Sequence, residues 1–167
     1  MLLMHKARRR ASSLLEIILG LPLLLMVLFA VAQFGLLQSN QQSLKMASRA
    51  GALVAAELTI VPGEPLPGEV LDAVNEVLRQ SGLIGSAEFI ELVGGVQMNH
   101  NLAGGDVLVA GMGCDPPTIP YPDRPYVQVT VCLEATRLAP NTLSILGINF
   151  SNRFVSMTSL HRHELSP

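Results

Sequence analysis

The feature that most limits how this chain folds is an apolar run near its N-terminus. Residues 17–37, called the span below, contain one strongly polar side chain, Gln33, and no charged residue occurs between residues 17 and 44. At about 1.5 Å per residue, a helix of this length covers roughly 30 Å, the thickness of the hydrocarbon core of a bilayer. The sequence therefore predicts a single membrane-spanning helix.

The basic residues on either side of the span predict its orientation. Lys6, Arg8, Arg9 and Arg10 precede the span, whereas only Lys45 and Arg49 follow it, one turn or more further out. Dense positive charge stays in the cytoplasm. We expect a single-pass protein of the cytoplasmic (inner) membrane, with a cytoplasmic N-terminus and a periplasmic or extracellular C-terminal part. A disulfide between Cys114 and Cys132 would persist there.

A cleavable secretory signal is the alternative explanation of the N-terminal segment. Ala30, Val31 and Ala32 form a small-x-small pattern behind a basic and an apolar region, as at a signal peptidase site. Cleavage there would release a soluble protein that begins at Gln33. However, Phe34 and the residues up to Leu37 continue the apolar run beyond this point, which favours an anchor.

Charge and motif patterns exclude several classes of function. The net charge is −2, and four of the eleven Lys and Arg residues lie within residues 1–11, so the rest of the chain is acidic. An acidic surface does not favour binding of nucleic-acid phosphates. No zinc-ligand spacing, phosphate-binding loop or nucleophile elbow occurs in the sequence. We expect no nucleic-acid binding, metal, cofactor or enzymatic activity.

Beyond the membrane, the sequence predicts an α+β arrangement. A stem helix (residues 38–60) carries Leu44, Ala47, Gly51 and Val54 on one face, which suits packing against its own globular part, against neighbouring subunits or both. The head (residues 61–167) begins with a proline-rich loop at residues 61–68 and a short helix at residues 69–80 with Gly82 as its cap.

An antiparallel sheet is predicted for the rest of the head. Strands are expected at residues 88–93, 106–110, 126–135 and 152–163, the third with the clearest alternation of apolar and polar residues. Gly94, Gly95 and His100 are assigned to turns. Residues 114–125 contain five prolines and are predicted to form an irregular loop.

The junction before the span carries the most functional information. Arg8–Arg10 are followed by Ala11, Ser12 and, four residues later, Glu16 at the edge of the apolar run. A carboxylate at the edge of a hydrocarbon span is costly, so it usually has a partner or a function.

These residues resemble the TadE-like family of tight-adherence (Flp/Tad) pilus assembly proteins, which are pseudopilins. The resemblance rests on RRRASSLLEIILGLPLLLMVLFAVAQFG and the alanine-rich stem, and more loosely on the C-terminal strands. It implies that a prepilin peptidase removes residues 1–11, the basic leader, by cutting between Ala11 and Ser12. Residues 12–60 would then be the transmembrane and stem helix, with Glu16 used for docking against other helices.

The resemblance also implies a function and a set of partners. The chain would be a membrane-anchored pseudopilin, or minor pilin-like component, that works with other pilins and an assembly platform. The alternative is a membrane-tethered extracytoplasmic binding module whose N-terminal anchor is never processed. Glu16 separates these two hypotheses, because only the first requires it for docking between subunits.

Overall fold

One helix of 56 residues dominates the computed structural model of the protein. The structure describes residues 2–59, 64–101, 107–118, 125–140, 144, 147 and 151–162, with side chains from residue 16 onward. Helix α1 runs from Leu2–Glu57 without interruption and includes Pro22. A proline removes one backbone hydrogen bond from a helix, and membrane-spanning helices tolerate this loss. The expected long N-terminal helix is confirmed.

A four-stranded antiparallel sheet forms the body of the head. Its strands are β1 (Gly94–His100), β2 (Val107–Gly111), β3 (Tyr126–Glu134) and β4 (Phe154–Arg162), in the order β2-β1-β3-β4. The predicted alternation in β3 is present, although the side chains on both of its faces are buried from Val127 to Leu133. Together with the helices, this sheet confirms the α+β fold class.

The stem packs its small residues against the head. Leu44, Ala47 and Gly51, three residues of the predicted stripe, are buried on α1. Next to them, the hydroxyl of Ser48 lies 2.9 Å from that of Ser159 on β4, and both side chains are buried. The prediction that this stripe packs against the protein's own head is confirmed.

Helix α2 (Gly68–Gln80) packs beside α1 and begins one residue before the predicted bound. Its apolar face places Val70, Val74 and Leu78 in the core. The helix ends as predicted, because Gly82 adopts a φ of 72°. The amide of Leu83 then donates to the carbonyl of Leu78 at 3.0 Å, which completes a Schellman cap.

The strand predicted at residues 88–93 is wrong. Ile90–Val93 form a short helix, α3, and β1 begins directly after it at Gly94. The cause lies in a distant side chain: the buried Asn75 of α2 accepts a hydrogen bond of 2.8 Å from the amide of Ile90. This bond satisfies a backbone donor at the start of the helical turn, which apolar periodicity does not reveal.

The turn assignments of Gly94, Gly95 and His100 are also wrong, since all three residues belong to β1. A Cβ at Gly94 would overlap the carbonyl oxygen of Cys132, and a Cβ at Gly95 would overlap that of Met112. The two glycines are therefore explained by close backbone approach within a sheet. His100 is 3% exposed at the end of the strand.

Strands β2, β3 and β4 lie within one or two residues of their predicted positions. Parts of other predictions fall outside the described residues: residues 61–63 of the first loop, Asp106 at the start of the second strand, residues 119–124 of the proline-rich loop, and His163 at the end of the last strand. A short helix that the sequence did not suggest, α4 (Ala135–Leu138), follows β3. It faces α1.

Candidate functional site

The first half of α1 exposes an apolar surface around its whole circumference. Every side chain from residue 16 to residue 29 is exposed, and Leu19 and Leu23 retain 70% and 69% of their accessible surface. A helix that faces water on one side keeps polar residues on that side. No such side exists here, so this part of the helix requires an apolar environment that the head does not provide.

Length and hydropathy identify that environment. Among the described residues, α1 between Glu16–Glu57 is the one helix long and apolar enough to cross a membrane. Its most apolar window has a mean hydropathy of 2.5, and only 6% of that window is buried within the protein. In the core helix of a soluble protein, most of such a window would be buried. These properties fit a single-pass membrane protein.

The head meets α1 before the span ends. Gln33, the polar interruption of the span, is 5% exposed, and it lines a small cavity with Phe34 and Leu37 of α1 and with Ala135 and Ala139 of the head. With Glu16 at one edge of a hydrocarbon core of about 30 Å, the other edge falls near Leu37. In a membrane of this thickness, the α4 corner of the head would lie close to the surface.

Glu16 lies at the opposite end of the exposed apolar surface. Its side chain is exposed and, among the side chains that the structure describes, it forms no hydrogen bond or ion pair. The next charged residue along α1 is Lys45, about 44 Å away along the helix axis. Among the side chains from residue 16 onward, Glu16 is therefore a carboxylate without a partner at the start of the exposed apolar surface.

The predicted processing junction continues into the same helix. The backbone is helical through Ala11 and Ser12, whose side chains lie outside the described set. Glu16 is four residues after Ser12, which corresponds to one helical turn and a rise of about 6 Å. The structure thus places the junction and the carboxylate on one continuous helix. Whether the junction is cleaved stays a prediction.

A disulfide joins Cys114 and Cys132, as predicted. Cys132 lies on the face of β3 that is turned away from α1, and Cys114 belongs to the segment that follows β2. The side-chain amide of Gln128 also donates to the carbonyl of Pro117 at 3.0 Å. Residues 112–118 are in this way fastened across the outer face of the sheet, far from the apolar helix.

The described residues offer no recognisable metal centre. No group of three or more His, Cys, Asp or Glu side chains is placed to hold a metal ion in this part of the chain. The cysteines are paired with each other and are not available as thiolate ligands. The features that single out this protein are therefore the apolar helix, its terminal carboxylate and the surfaces of the head.

Comparison with known proteins supports the sequence resemblance. The family model described as TadE-like protein matches residues 11–53, which cover the processing junction, the span and most of the stem. The match confirms the suspected resemblance and implies involvement in tight-adherence pilus assembly. No curated protein and no solved structure matches the chain.

Sequence reasoning missed the contacts that fix the head on the helix. In the sequence Gln33 is only a polar interruption of the span, whereas in the structure it is buried at the first contact with the head. Asn40 donates a hydrogen bond of 2.6 Å to the carbonyl of Leu138. Polar residues at the end of an apolar run were the available signal, but they do not indicate which distant segment they contact.

Proposed function

We propose that this protein is a pseudopilin, or minor pilin-like component, of a tight-adherence type IV-related pilus or secretion system. The observation that carries the proposal is the first half of α1, which exposes apolar side chains on all sides, begins with the carboxylate of Glu16 and lies within the TadE-like match. Such a helix suits a subunit that first resides in lipid and later packs among other helices. The proposed role is one of assembly, without catalysis.

Processing would prepare the helix for this exchange. A prepilin peptidase that cuts between Ala11 and Ser12 removes four basic residues, which otherwise hold the N-terminus in the cytoplasm. It also creates a positively charged α-amino group on Ser12. The mature chain then carries a cation and a carboxylate one turn apart, directly before a stretch of α1 (residues 17–44) that has no charge.

These two charges would form ion pairs between neighbouring subunits. In an apolar environment two opposite charges attract strongly, and either one alone is costly. The Glu16 carboxylate of one subunit is proposed to pair with the α-amino group of Ser12 in a neighbouring subunit, or of the equivalent residue in another pilin. This ion pair would offset the desolvation free energy of the two buried charges, and it would set the axial register of adjacent helices.

The exposed surface of the helix supports lateral packing. Gly20 and Gly35 lie in open space, because a Cβ added to either residue would meet no atom within 4 Å. Small residues let membrane helices approach each other closely. The proposed partners are other pilins or pseudopilins, an inner-membrane assembly platform and the prepilin peptidase. The proposed location is the inner membrane, with the N-terminus cytoplasmic and the head periplasmic or extracellular.

Replacement of Glu16 tests the proposal. We expect Glu16→Ala to abolish piliation and surface adhesion while the protein remains in the membrane at its normal level. Glu57→Ala is the matched control, because Glu57 is also an exposed glutamate of α1 but lies at the far end of the stem. The control should leave piliation unchanged.

The same experiment tests the alternative function. A tethered binding module needs its helix only as an anchor, and an anchor does not depend on a carboxylate. Normal piliation in the Glu16→Ala strain, with the variant protein present in the membrane, would therefore contradict the pseudopilin proposal and favour the tethered module.

A further inference from the structure

A basic groove lies between the stem and the edge of the sheet. It encloses about 480 Å³ between α1 and β4, and it is lined by Lys45, Arg49, Leu53, Thr158, Ser159, Leu160 and His161. Lys45 and Arg49 are exposed, and neither forms an ion pair with any residue that the structure describes. None of the lining residues that the structure describes is acidic. The groove is therefore a positively charged surface on a domain that is acidic overall.

A complementary acidic stripe lies on α2. Glu69, Asp72 and Glu76 are all exposed and follow each other at intervals of three and four residues, on the face opposite the buried Val70 and Val74. Among the described residues none of the three has a basic partner. Glu76 only accepts a hydrogen bond of 2.8 Å from Gln80.

The groove and the stripe lie on opposite flanks of the stem. On one side of α1, Gly51 faces Val74 of α2, since a Cβ on Gly51 would come within 2.8 Å of it. At 3.6 residues per turn, Arg49 of the groove lies roughly 160° around the helix from Gly51, on the other side of the stem. The groove and the stripe of one copy therefore face away from each other, and each is open to a neighbouring copy.

The two surfaces also lie at the same level along the stem. The groove is lined by residues 45–53 of α1, and α2 touches α1 at Gly51, within this stretch. In two copies that are anchored in one membrane by the same span, the stems run side by side, and equivalent residues lie at the same distance from the membrane surface. The stripe of one copy then faces the groove of the next with an axial offset of a few residues at most, or about 10 Å.

We propose that the heads of two copies of this protein associate side by side, with the acidic stripe of α2 in the basic groove of the neighbour. The contact joins two different surfaces, so it is heterologous and repeats from copy to copy. Lys45 and Arg49 are four residues apart on one helix, and Asp72 and Glu76 are four residues apart on another. Each pair spans about 6 Å, so two ion pairs form together.

The groove also offers apolar surface to its occupant. Leu53 and Leu160 line it and remain 53% and 47% exposed. The contact would cover part of this surface and reduce the solvent around the ion pairs, which strengthens them. Because exposed charges are screened by salt, the association weakens as ionic strength rises.

This contact goes beyond the pseudopilin proposal and does not depend on it. It requires the stems of the two copies to stand in one membrane, but it requires neither cleavage after Ala11 nor the carboxylate of Glu16. The two proposals therefore fail separately. The effect of Glu16→Ala on piliation does not bear on the head contact. The head contact is measured by crosslinking of the full-length chain with Glu16 intact.

Zero-length crosslinking of the full chain detects the contact directly. Protein labelled with ¹⁵N is mixed with unlabelled protein in phosphatidylcholine liposomes and treated with a carbodiimide, which joins an amine to a carboxylate that it touches. We expect mixed-isotope peptides that link Lys45 to Asp72 or Glu76, with a yield that falls as salt is added. Absence of these mixed-isotope peptides would overturn the proposal.

Charge exchange separates this contact from general association of the membrane helices. Because the groove variant lacks Lys45, its association is measured by energy transfer instead of crosslinking. Both native cysteines are replaced, and a dye is attached to a new cysteine at Ser86→Cys, an exposed position of the head. We expect Lys45→Glu/Arg49→Glu and Asp72→Lys/Glu76→Lys each to lower head-to-head transfer among identical copies by roughly tenfold. A mixture of the two variants should restore it, because each groove then meets a stripe of opposite charge.

A matched control changes charge elsewhere on the head. Glu91→Lys/Asp115→Lys alters the net charge as much as the stripe variant does, at two exposed residues outside α2. It should behave as the parent chain. Failure of the mixture to recover, or an equal loss in the control, would contradict the proposal. Loss of copurifying phosphatidylglycerol from the groove variant, with energy transfer unchanged, would show that the groove binds anionic lipid headgroups instead.

Discussion

The side-chain amide of Asn40 donates a hydrogen bond of 2.6 Å to the carbonyl of Leu138, a residue 98 positions away. Leu138 is the last residue of α4, and its carbonyl has no partner within so short a helix. Asn40 lies three residues after the end of the span. This bond therefore holds the head to α1 at the point where the helix leaves the predicted membrane.

Removal of this donor should loosen the α4 corner. We expect Asn40→Ala to lower the free energy of unfolding by about 1 kcal/mol, because the loss of a hydrogen bond to a partly buried carbonyl exceeds the small gain in helix propensity. Hydrogen exchange should become faster at residues 135–139. Gln42→Ala, at an exposed position of the same helix, is the control, and equal exchange in both variants would contradict this role of Asn40.

Gly51 should tolerate no side chain. An added Cβ would lie 2.8 Å from Cγ2 of Val74 and 3.2 Å from Cγ1 of Val129, and both valines are buried. Overpacking costs about 1–3 kcal/mol, which outweighs the gain of about 1 kcal/mol for replacing a helical glycine with alanine. We expect Gly51→Leu to destabilise the protein by about 3 kcal/mol in urea denaturation followed by circular dichroism in detergent.

Gly35 provides the matched comparison for Gly51. It belongs to the same helix, but a Cβ there would meet nothing within 4 Å. Gly35→Ala should leave the urea midpoint unchanged or raise it, while Gly51→Ala lowers it. The reverse order of the two midpoints would show that α1 does not pack on α2 and β3 at Gly51.

The disulfide should stabilise the protein, but the chain should adopt the same fold without it. Cys114 and Cys132 are 18 residues apart, and closing a loop of this length stabilises a protein by about 3 kcal/mol. We expect Cys114→Ala/Cys132→Ala to lower the urea midpoint by a matching amount while the circular dichroism spectrum of the folded protein is retained. Addition of reductant should lower the midpoint of the parent chain but not that of the variant.

Acid should weaken the contact between α4 and the loop before α3. The backbone amide of Gly85, which donates to Glu88 at 2.8 Å, and the guanidinium of Arg137 at 2.9 Å lower the pKa of the Glu88 carboxyl below its ordinary value of 4.5. A lowered pKa means that the ionised form stabilises the fold. This stability is complete above pH 4.5 and is lost as the pH falls through the lowered value.

Comparison with a variant isolates this pH effect. We expect the parent chain to lose more stability than Glu88→Gln between pH 5 and about pH 3, in denaturation series measured at each pH. Because Glu88 and Arg137 are both more than one-third exposed, the difference should be small and should shrink in high salt. Parallel pH profiles for the two proteins would contradict the assignment.

Local patterns in the sequence identified most of the fold. The span follows from composition, β3 from its alternating residues, and α2 from its apolar face together with the glycine that caps it. Residues 88–93 were misassigned because their helical turn depends on Asn75, a side chain from another element. Gly94 and Gly95 were misassigned because close approach between strands and a turn both favour glycine.

In the candidate site, too, local sequence patterns reveal some features and not those that depend on distant contacts. Ala11, Ser12 and Glu16 form a contiguous pattern, so their spacing was readable from the sequence. The basic groove was not readable, because Lys45 and Arg49 lie more than 100 residues from the strand that forms its other wall. In the sequence Lys45 and Arg49 are only charges that flank the span, and they share a surface with β4 only in the folded head.

The mass of the chain in its native membrane tests the central claim most directly. The pseudopilin account requires a processed helix, so mass spectrometry of protein from the native host should find a mature chain that begins at Ser12, eleven residues shorter than the full sequence. A chain that begins at Met1 would contradict this account and favour an unprocessed anchor. A chain that begins at Gln33 would contradict it equally and identify a secreted protein.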